Sequence, residues 1–374
     1  MTTRASDSRI IDVHRHCMMP GALSPRFSSA AKKMLGLLAS LHECETYWTV
    51  KVKGVTTLLY TEAMDVDRQI AAQDSAGVEQ SVLSFSMLLE LFSQTLHLPV
   101  LEVAKRLNDA SAAIVARHPD KLAYLAMVHP FDPRSVRECE RCLANGAKGI
   151  SIGTSWKGHF LDSRRADPLW EFAQDRQTTI FLHPPLIPIG RHRMKTYKLE
   201  EIVGRPFDTT MTVTRMIYSG VFDRYPGLKI LLPHMGGALP NVLGRLDFGH
   251  RLGYEGLPEG QAALCKRRPS EYLRTNLYAD TMGFSAAGIR HCLDLFGTDR
   301  VLFGTDYPAV PYSPREHVEI VRGMGLPPAG LAQILGGNAA QLFGLSQARP
   351  GQTMPAGRST KSGRDGHPLA GDAA

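Results

Sequence analysis

The sequence is built on one repeated pattern, in which a short apolar or β-branched run precedes a longer segment with helical periodicity. Several of the runs are apolar throughout, as is typical of strands buried on both faces of a parallel sheet. No G-x-G-x-x-G motif follows the first run, so the alternation favours an α/β fold of the (β/α)8 barrel type over a doubly wound sheet. The eight predicted strands lie at residues 9–14, 80–86, 121–128, 147–153, 178–183, 228–234, 276–281 and 300–306.

Two connections in this predicted barrel are much longer than the others. They cover residues 17–78 after the first strand and 184–225 after the fifth. Because the loops that follow the strands build the active-site face of this fold, we expect both insertions to cover the substrate. We predict one barrel domain at residues 9–348, a disordered N-terminus at 1–8, and a disordered tail at 349–374 that is rich in Gly, Pro, Ser and charge.

Composition and charge indicate which kinds of partner and which cellular compartment suit this chain. The 374 residues are 43% hydrophobic and carry a formal net charge of +7 from scattered basic residues, which favours a small anionic substrate over nucleic acid. No apolar run reaches the roughly 20 residues of a membrane helix, and the N-terminus lacks the apolar core of a signal peptide. The six cysteines lack the spacing of a disulfide framework. We therefore expect a cytoplasmic protein with no membrane partner.

Histidines and one aspartate stand at the ends of four predicted strands. His14 and His16 close the first run, and residues two apart on a strand point to the same face. His183 and His234 end the fifth and sixth runs, and Asp306 ends the eighth. Because the C-terminal ends of barrel strands converge on one site, we expect these side chains to meet there. Imidazoles with one carboxylate suit Zn²⁺, or else Mn²⁺, Fe²⁺ or Co²⁺.

Two arginines are candidate contacts for an anionic substrate. Arg193 belongs to the basic segment at residues 191–195 in the second long insertion, which is either an electrostatic funnel or a solvated loop. Arg245 follows His234 by eleven residues, and its fork-shaped guanidinium suits a substrate carboxylate.

Several motifs together resemble the amidohydrolase superfamily, in the branch of 2-amino-3-carboxymuconate 6-semialdehyde decarboxylase and related aromatic-acid decarboxylases. The resemblance implies that His14, His16, His183 and Asp306 bind one divalent metal, usually zinc. It also implies that His234 is the catalytic imidazole, and that Arg245 reaches a substrate carboxylate from the neighbouring subunit of a homodimer. The motifs are IDVHRH at 11–16, FLHP at 181–184, GVFDRYPGLKILLPHMGGALPNVLGR at 220–245, FGTDYP at 303–308 and GGNAAQLFGL at 336–345.

The leading hypothesis from these residues is a metal-dependent decarboxylase without an organic cofactor, acting on a small unsaturated or aromatic carboxylic acid in the catabolism of aromatic compounds. His234 would be the acid/base, and Asp306 would both bind the metal and assist catalysis. A hydrolase of an amide, lactone or C–C bond, and a metal-binding barrel without catalysis, are the alternatives. The chain has Thr57, Pro185 and Met235 where the resembled decarboxylase has Arg, Trp and Gly, so the individual substrate stays open.

Overall fold

The computed structural model describes residues 8–17, 47–52, 55–60, 63, 65–252, 262–309 and 312–345. Each of the eight runs identified in the sequence contains a strand of the barrel. The third run is divided into two pieces, and the eighth strand is the shortest. The barrel strands are β1 (Ile11–Arg15), β2 (Gln80–Leu83), β3 (Leu122–Tyr124 and Ala126–Met127), β4 (Ile150–Gly153), β5 (Thr179–His183), β6 (Lys229–Leu232), β7 (Leu277–Asp280) and β8 (Val301–Leu302).

These strands form one closed parallel barrel. Neighbours pair in chain order, and the two pieces of β3 join β2 on one side to β4 on the other. The barrel closes between β8 and β1, where the Val13 amide donates to the Phe303 carbonyl at 3.0 Å and the Asp306 amide donates to the His14 carbonyl at 2.8 Å. The predicted (β/α)8 barrel is therefore confirmed.

Helices surround the barrel because each buries one apolar side against the strands. In the helix Val100–Arg117, for example, Val103, Leu107 and Ile114 are buried at helical spacing. None of the described helices is long and apolar enough to cross a membrane. The principal helices are Val66–Ser75, Val100–Arg117, Ser135–Ala144, Asp167–Asp175, Arg205–Tyr218, Leu239–Leu252, Ala286–Phe296 and Pro314–Arg322, with shorter ones at Leu89–Leu96, Val221–Arg224, Pro269–Leu273, Pro328–Ala332 and Asn338–Phe343.

The apolar core has an inner and an outer layer. The inner layer fills the barrel with side chains such as Ile11, Leu125 and Phe181. Phe343, from the last described helix, packs into the same layer against the start of the strands. A larger outer layer lies between the strands and the surrounding helices. The strand ends that carry the candidate site are thus held on a close-packed base.

Parts of both long insertions lie among the described residues. The described part of the first contains an antiparallel hairpin, Tyr47–Val52 with Val55–Tyr60, and the second contains the short turn Arg191–Arg193 before the helix Arg205–Tyr218. A small hairpin after β4, Ser155–Trp156 with His159–Phe160, was not predicted. The ends predicted to be disordered, 1–8 and 349–374, lie outside the described residues apart from Ser8.

Candidate metal centre

The side chains at the strand ends meet at one point. Candidate ligand atoms of His14, His183, His234 and Asp306 all lie within 4.8 Å of one another. His16 belongs to the same cluster, because its Nε2 lies 2.8 Å from Asp306 Oδ1. The barrel topology thus brings together all five residues that sequence reasoning placed there.

Three of the histidines are held through the Nδ1 side of the ring. His14 Nδ1 lies 2.6 Å from Asp280 Oδ2, His16 Nδ1 lies 2.8 Å from the Ser84 carbonyl, and His183 Nδ1 lies 2.9 Å from the Pro184 carbonyl. Each partner is an acceptor, so each Nδ1 carries the proton and each Nε2 presents a lone pair. This is the tautomer in which histidine binds a metal through Nε2.

The unpaired atoms of the cluster fit a single divalent cation. The Nε2 atoms of His14, His16 and His183 and Oδ1 of Asp306 are buried without a hydrogen-bond partner among the described residues. Lone pairs on nitrogen and oxygen that face one another at about 3 Å repel unless a cation lies between them. Three imidazoles and one carboxylate are a common N/O donor set for zinc and similar ions.

Asp306 faces two different groups with its two oxygens. Oδ1 lies 3.2 Å from His14 Nε2 and 2.8 Å from His16 Nε2, whereas Oδ2 lies 3.2 Å from His234 Nε2. The His234 side chain is 14% exposed, while those of His14 and His16 are 0% and 1% exposed. His234 is therefore the imidazole of the cluster that is open to an incoming molecule.

Mutual electrostatics favour the ligand forms of Asp306 and His183, but the protonated form of His14 while no metal is bound. Burial raises the pKa of Asp306, but the neighbouring histidines outweigh burial and hold that pKa well below its usual range. Burial, with His16 and His14 nearby, holds the pKa of His183 well below its usual range. Burial lowers the pKa of His14, but the Asp306 and Asp280 carboxylates raise it by more, to about 10. An anionic carboxylate and a neutral imidazole are the states that metal binding requires, so His14 releases a proton when a metal binds.

The backbone around the cluster is unusual. His234, Met235 and Asp306 have φ values of +54°, +57° and +57°, a region that costs non-glycine residues about 1 kcal/mol or more. Such residues concentrate at functional sites, where the fold fixes them.

Gly304 lies where a larger residue would not fit between His14 and Asp280. A Cβ at position 304 would lie 2.9 Å from His14 Cβ and 3.0 Å from Asp280 Cβ. Glycine at 304 thus lets His14 and Asp280 meet.

Asp280 is a site residue that sequence reasoning missed. Its Oδ2 holds His14, while its Oδ1 accepts hydrogen bonds from the Met235 and Met282 amides at 3.1 Å each. One buried carboxylate therefore orients His14 and fixes the turn that carries His234. Asp280 ends the seventh strand, so its place in the topology was a usable signal.

The two candidate arginines lie outside this cluster. Arg245 is exposed on the helix Leu239–Leu252, and Arg193 is exposed in the turn Arg191–Arg193. Neither forms a hydrogen bond or ion pair with the five clustered residues within the described part of the chain.

Comparison with known proteins gives the family. A family model described as amidohydrolase matches residues 11–345. The 2-amino-3-carboxymuconate-6-semialdehyde decarboxylase of Dictyostelium discoideum is 30% identical over 250 residues, covering 66% of this chain and 67% of that protein. The gamma-resorcylate decarboxylase of Polaromonas sp. strain JS666 is 30% identical over 308 residues, covering 77% of this chain and 90% of that protein.

A solved structure agrees with these relatives. It is a dihydroxybenzoic acid decarboxylase from Polaromonas sp. JS666 with bound manganese and the inhibitor 2-nitroresorcinol. The two chains are 25% identical with a TM-score of 0.70, and the match covers 91% of this chain and 98% of that chain. The chain therefore belongs to the amidohydrolase family, in the branch that contains the 2-amino-3-carboxymuconate-6-semialdehyde and gamma-resorcylate decarboxylases.

Proposed function

We propose that this protein is a metal-dependent decarboxylase of a small aromatic carboxylic acid, acting without an organic cofactor in the catabolism of aromatic compounds. The observation that carries the proposal is the convergence of three Nε2 lone pairs and the Asp306 carboxylate beside the partly exposed His234. The relatives described above are decarboxylases, which favours this reaction over hydrolysis by the same centre.

In this proposal His14, His16, His183 and Asp306 hold one divalent ion. Zn²⁺ suits the donor set, and Mn²⁺ suits it as well, since manganese is bound in the related Polaromonas structure. The bound ion would supply a Lewis acid that stabilises negative charge on a substrate oxygen. Asp280 acts through His14 by holding its ring in the ligand orientation.

Decarboxylation breaks the bond between the ring carbon and the carboxyl carbon, and the electron pair stays on the ring carbon while CO₂ leaves. A proton must then reach that carbon. His234 is placed to deliver it, because its imidazole is open to the mouth and its Nε2 lies 3.2 Å from Asp306 Oδ2. Asp306 Oδ2 orients the His234 ring while Oδ1 faces the ligand histidines.

A stoichiometric assay tests the reaction. The protein reconstituted with Mn²⁺ or Zn²⁺ would be incubated with a panel of hydroxybenzoic acids, and CO₂ and the ring product would be measured together. We expect one CO₂ and one phenol for each acid consumed. A panel of lactones and amides is the control, and release of a carboxylate product from these without CO₂ would contradict the proposal and support a hydrolase.

Replacing Asp280 by asparagine should weaken the affinity for the metal about 10-fold to 100-fold, which is the usual effect of losing a group that orients a ligand histidine. The amide keeps the shape of the carboxylate but loses the charge that faces His14 Nδ1. Titration with a competing chelator measures the affinity without an activity assay. Asp294→Asn, an exposed change on the helix Ala286–Phe296, is the control. Equal metal affinity in both variants would contradict the orienting role.

We also propose a homodimer, because exposed apolar side chains gather near Arg245. Phe207 and Met211 are 54% and 44% exposed on one helix, and Phe248 and Leu252 are 51% and 47% exposed on the neighbouring helix. Each pair is spaced by four residues, so each forms a stripe along its helix, and Arg245 lies one turn before Phe248. Exposed apolar patches of this kind favour association with a second copy.

Replacing Arg245 by alanine should lower kcat/KM about tenfold or more for a carboxylated substrate, while the metal content stays unchanged. Arg245→Lys should be impaired as well, because lysine lacks the bidentate fork. Mixing Arg245→Ala chains with His234→Ala chains tests the subunit contribution, since one site of each mixed dimer would carry both intact groups. No recovery of activity in verified mixed dimers would contradict a site shared between subunits.

The proposal also covers the role of Arg193, the location of the protein and the bounds of its domain. Arg193 would attract anionic substrates toward the mouth from its exposed turn. A cytoplasmic location agrees with the five described cysteines, which are all unpaired thiols. The single barrel domain would end near residue 348, with disordered ends at 1–8 and 349–374.

A further inference from the structure

A cavity of about 340 Å³ lies among three loops at the C-terminal end of the barrel. Met87 and Glu90 line it from the segment after β2, Lys157 lines it from the hairpin after β4, and residues 185–189 line it from the insertion after β5. Most of the residues that line the cavity are apolar, and they include prolines, leucine, isoleucines and methionine. Such a wall suits the ring of an aromatic molecule.

The cavity adjoins the candidate metal centre through the same loops. The Ser84 carbonyl that holds His16 lies three residues before Met87 in the chain. The Pro184 carbonyl that holds His183 directly precedes Pro185 of the cavity wall. The groups that orient two candidate ligands are thus continuous in the chain with the cavity wall.

Lys157 is the only cation among the described residues that line this cavity. It occupies the tip of the hairpin with a left-handed backbone (φ +47°), followed by Gly158 at φ +79°. Its ammonium makes no hydrogen bond or ion pair with a described residue. The Glu90 carboxylate of the wall accepts a hydrogen bond from Gln94 Nε2 at 2.8 Å and forms no ion pair with Lys157. The Lys157 ammonium is therefore available to an anionic ligand, while Glu90 keeps a negative charge in the same wall.

A buried carboxylate holds two walls of the cavity together. Asp208 accepts hydrogen bonds from the Ile189 amide at 2.9 Å and from Ser155 Oγ at 3.3 Å, and both of these residues line the cavity. Thr154, next to Ser155, also donates to Asp208. The hairpin that carries Lys157 is in this way tied to the insertion after β5. A preformed wall of this kind lowers the ordering cost of binding.

We propose that this cavity receives the end of the substrate ring that is farthest from the metal centre, and that Lys157 pairs there with a second carboxylate. The protein would then prefer aromatic dicarboxylic acids over otherwise identical monocarboxylic acids. Lys157 is a specificity residue in this scheme and takes no part in breaking the C–C bond. The inference rests on the proposed decarboxylase function, because that function places the reacting carboxyl group at the metal centre.

The test compares salicylate with 5-carboxysalicylate, which differ by one carboxylate, on the full-length chain loaded with Mn²⁺. Calorimetric titration is carried out in the His234→Ala background, which should keep its metal and turn over slowly, so that the heat reports binding of each acid rather than its consumption. We expect the protein with Lys157 to bind 5-carboxysalicylate more tightly than salicylate, and Lys157→Ala to weaken that binding about tenfold while salicylate binding changes little. Glu90→Gln should strengthen 5-carboxysalicylate binding, because it removes a negative charge from the cavity wall.

Lys148→Ala is the matched control, because Lys148 is exposed just before β4, at the opposite end of the same strand. It should leave the binding of both acids unchanged. Equal weakening of both acids by Lys157→Ala, no weakening of either, or no binding of 5-carboxysalicylate by the protein with Lys157 would overturn the assignment. Selective binding of 5-carboxysalicylate through Lys157 without release of CO₂ by the wild-type protein would support the cavity assignment and contradict the decarboxylase proposal.

Discussion

Asp306→Ala is expected to abolish both metal retention and decarboxylation. The change removes the carboxylate from a cluster in which three imidazole lone pairs otherwise face one another, so the remaining donors have no anionic partner to help hold a cation. Since a metal ion contributes several kcal/mol to stabilising developing charge, kcat/KM should fall about 10⁴-fold or more. Metal content by elemental mass spectrometry and CO₂ release measure the two effects separately.

Asp299→Ala is the matched control for this variant. Asp299 lies just before β8, at the opposite end of the strand from Asp306, and its side chain is 68% exposed. It should retain metal and activity. Asp306→Asn adds a further comparison, because the amide keeps the shape and loses the charge, so metal should bind more weakly than in the wild type. Full metal occupancy with normal turnover in Asp306→Ala would contradict the ligand assignment.

The sequence was sufficient to predict which histidines and which aspartate converge as candidate metal ligands, although not Asp280 behind His14. His183, His234 and Asp306 each end a predicted strand of the barrel. The C-terminal ends of barrel strands converge on one face, and this convergence does not depend on the conformation of the loops. The H-x-H pair was predictable for the same reason, although β1 carries an extra residue relative to β2 between Asp12 and Arg15. That irregularity lies within the strand and leaves the convergence intact.

Other parts of the site could not be predicted from side-chain patterns. The groups that hold His16 and His183 are backbone carbonyls of Ser84 and Pro184, and any residue type supplies a carbonyl. The hairpin that carries Lys157 has two-residue strands, which are too short for a periodic signal. The role of Arg245 could not be predicted from side-chain patterns for another reason. In the proposed homodimer Arg245 contacts the substrate of the neighbouring subunit, and such a contact depends on how two chains pack together.

His234→Ala should separate catalysis from metal binding. The Nδ1 atoms of His14, His16 and His183 are held by acceptors in the ligand tautomer, whereas His234 Nδ1 is buried without a partner among the described residues. His234 also faces Oδ2 of Asp306 rather than the oxygen that faces His14 and His16. We therefore expect the variant to keep its metal.

Activity of the His234→Ala protein should nevertheless fall about 10²-fold to 10⁴-fold in kcat, the usual contribution of a positioned acid/base. His291→Ala, a change at an exposed histidine on the helix Ala286–Phe296, is the control and should leave both metal content and kcat unchanged. Loss of metal from His234→Ala would make His234 a ligand, as its place within the 4.8 Å cluster permits. Retained metal with undiminished kcat would instead mean that another group delivers the proton to the ring carbon.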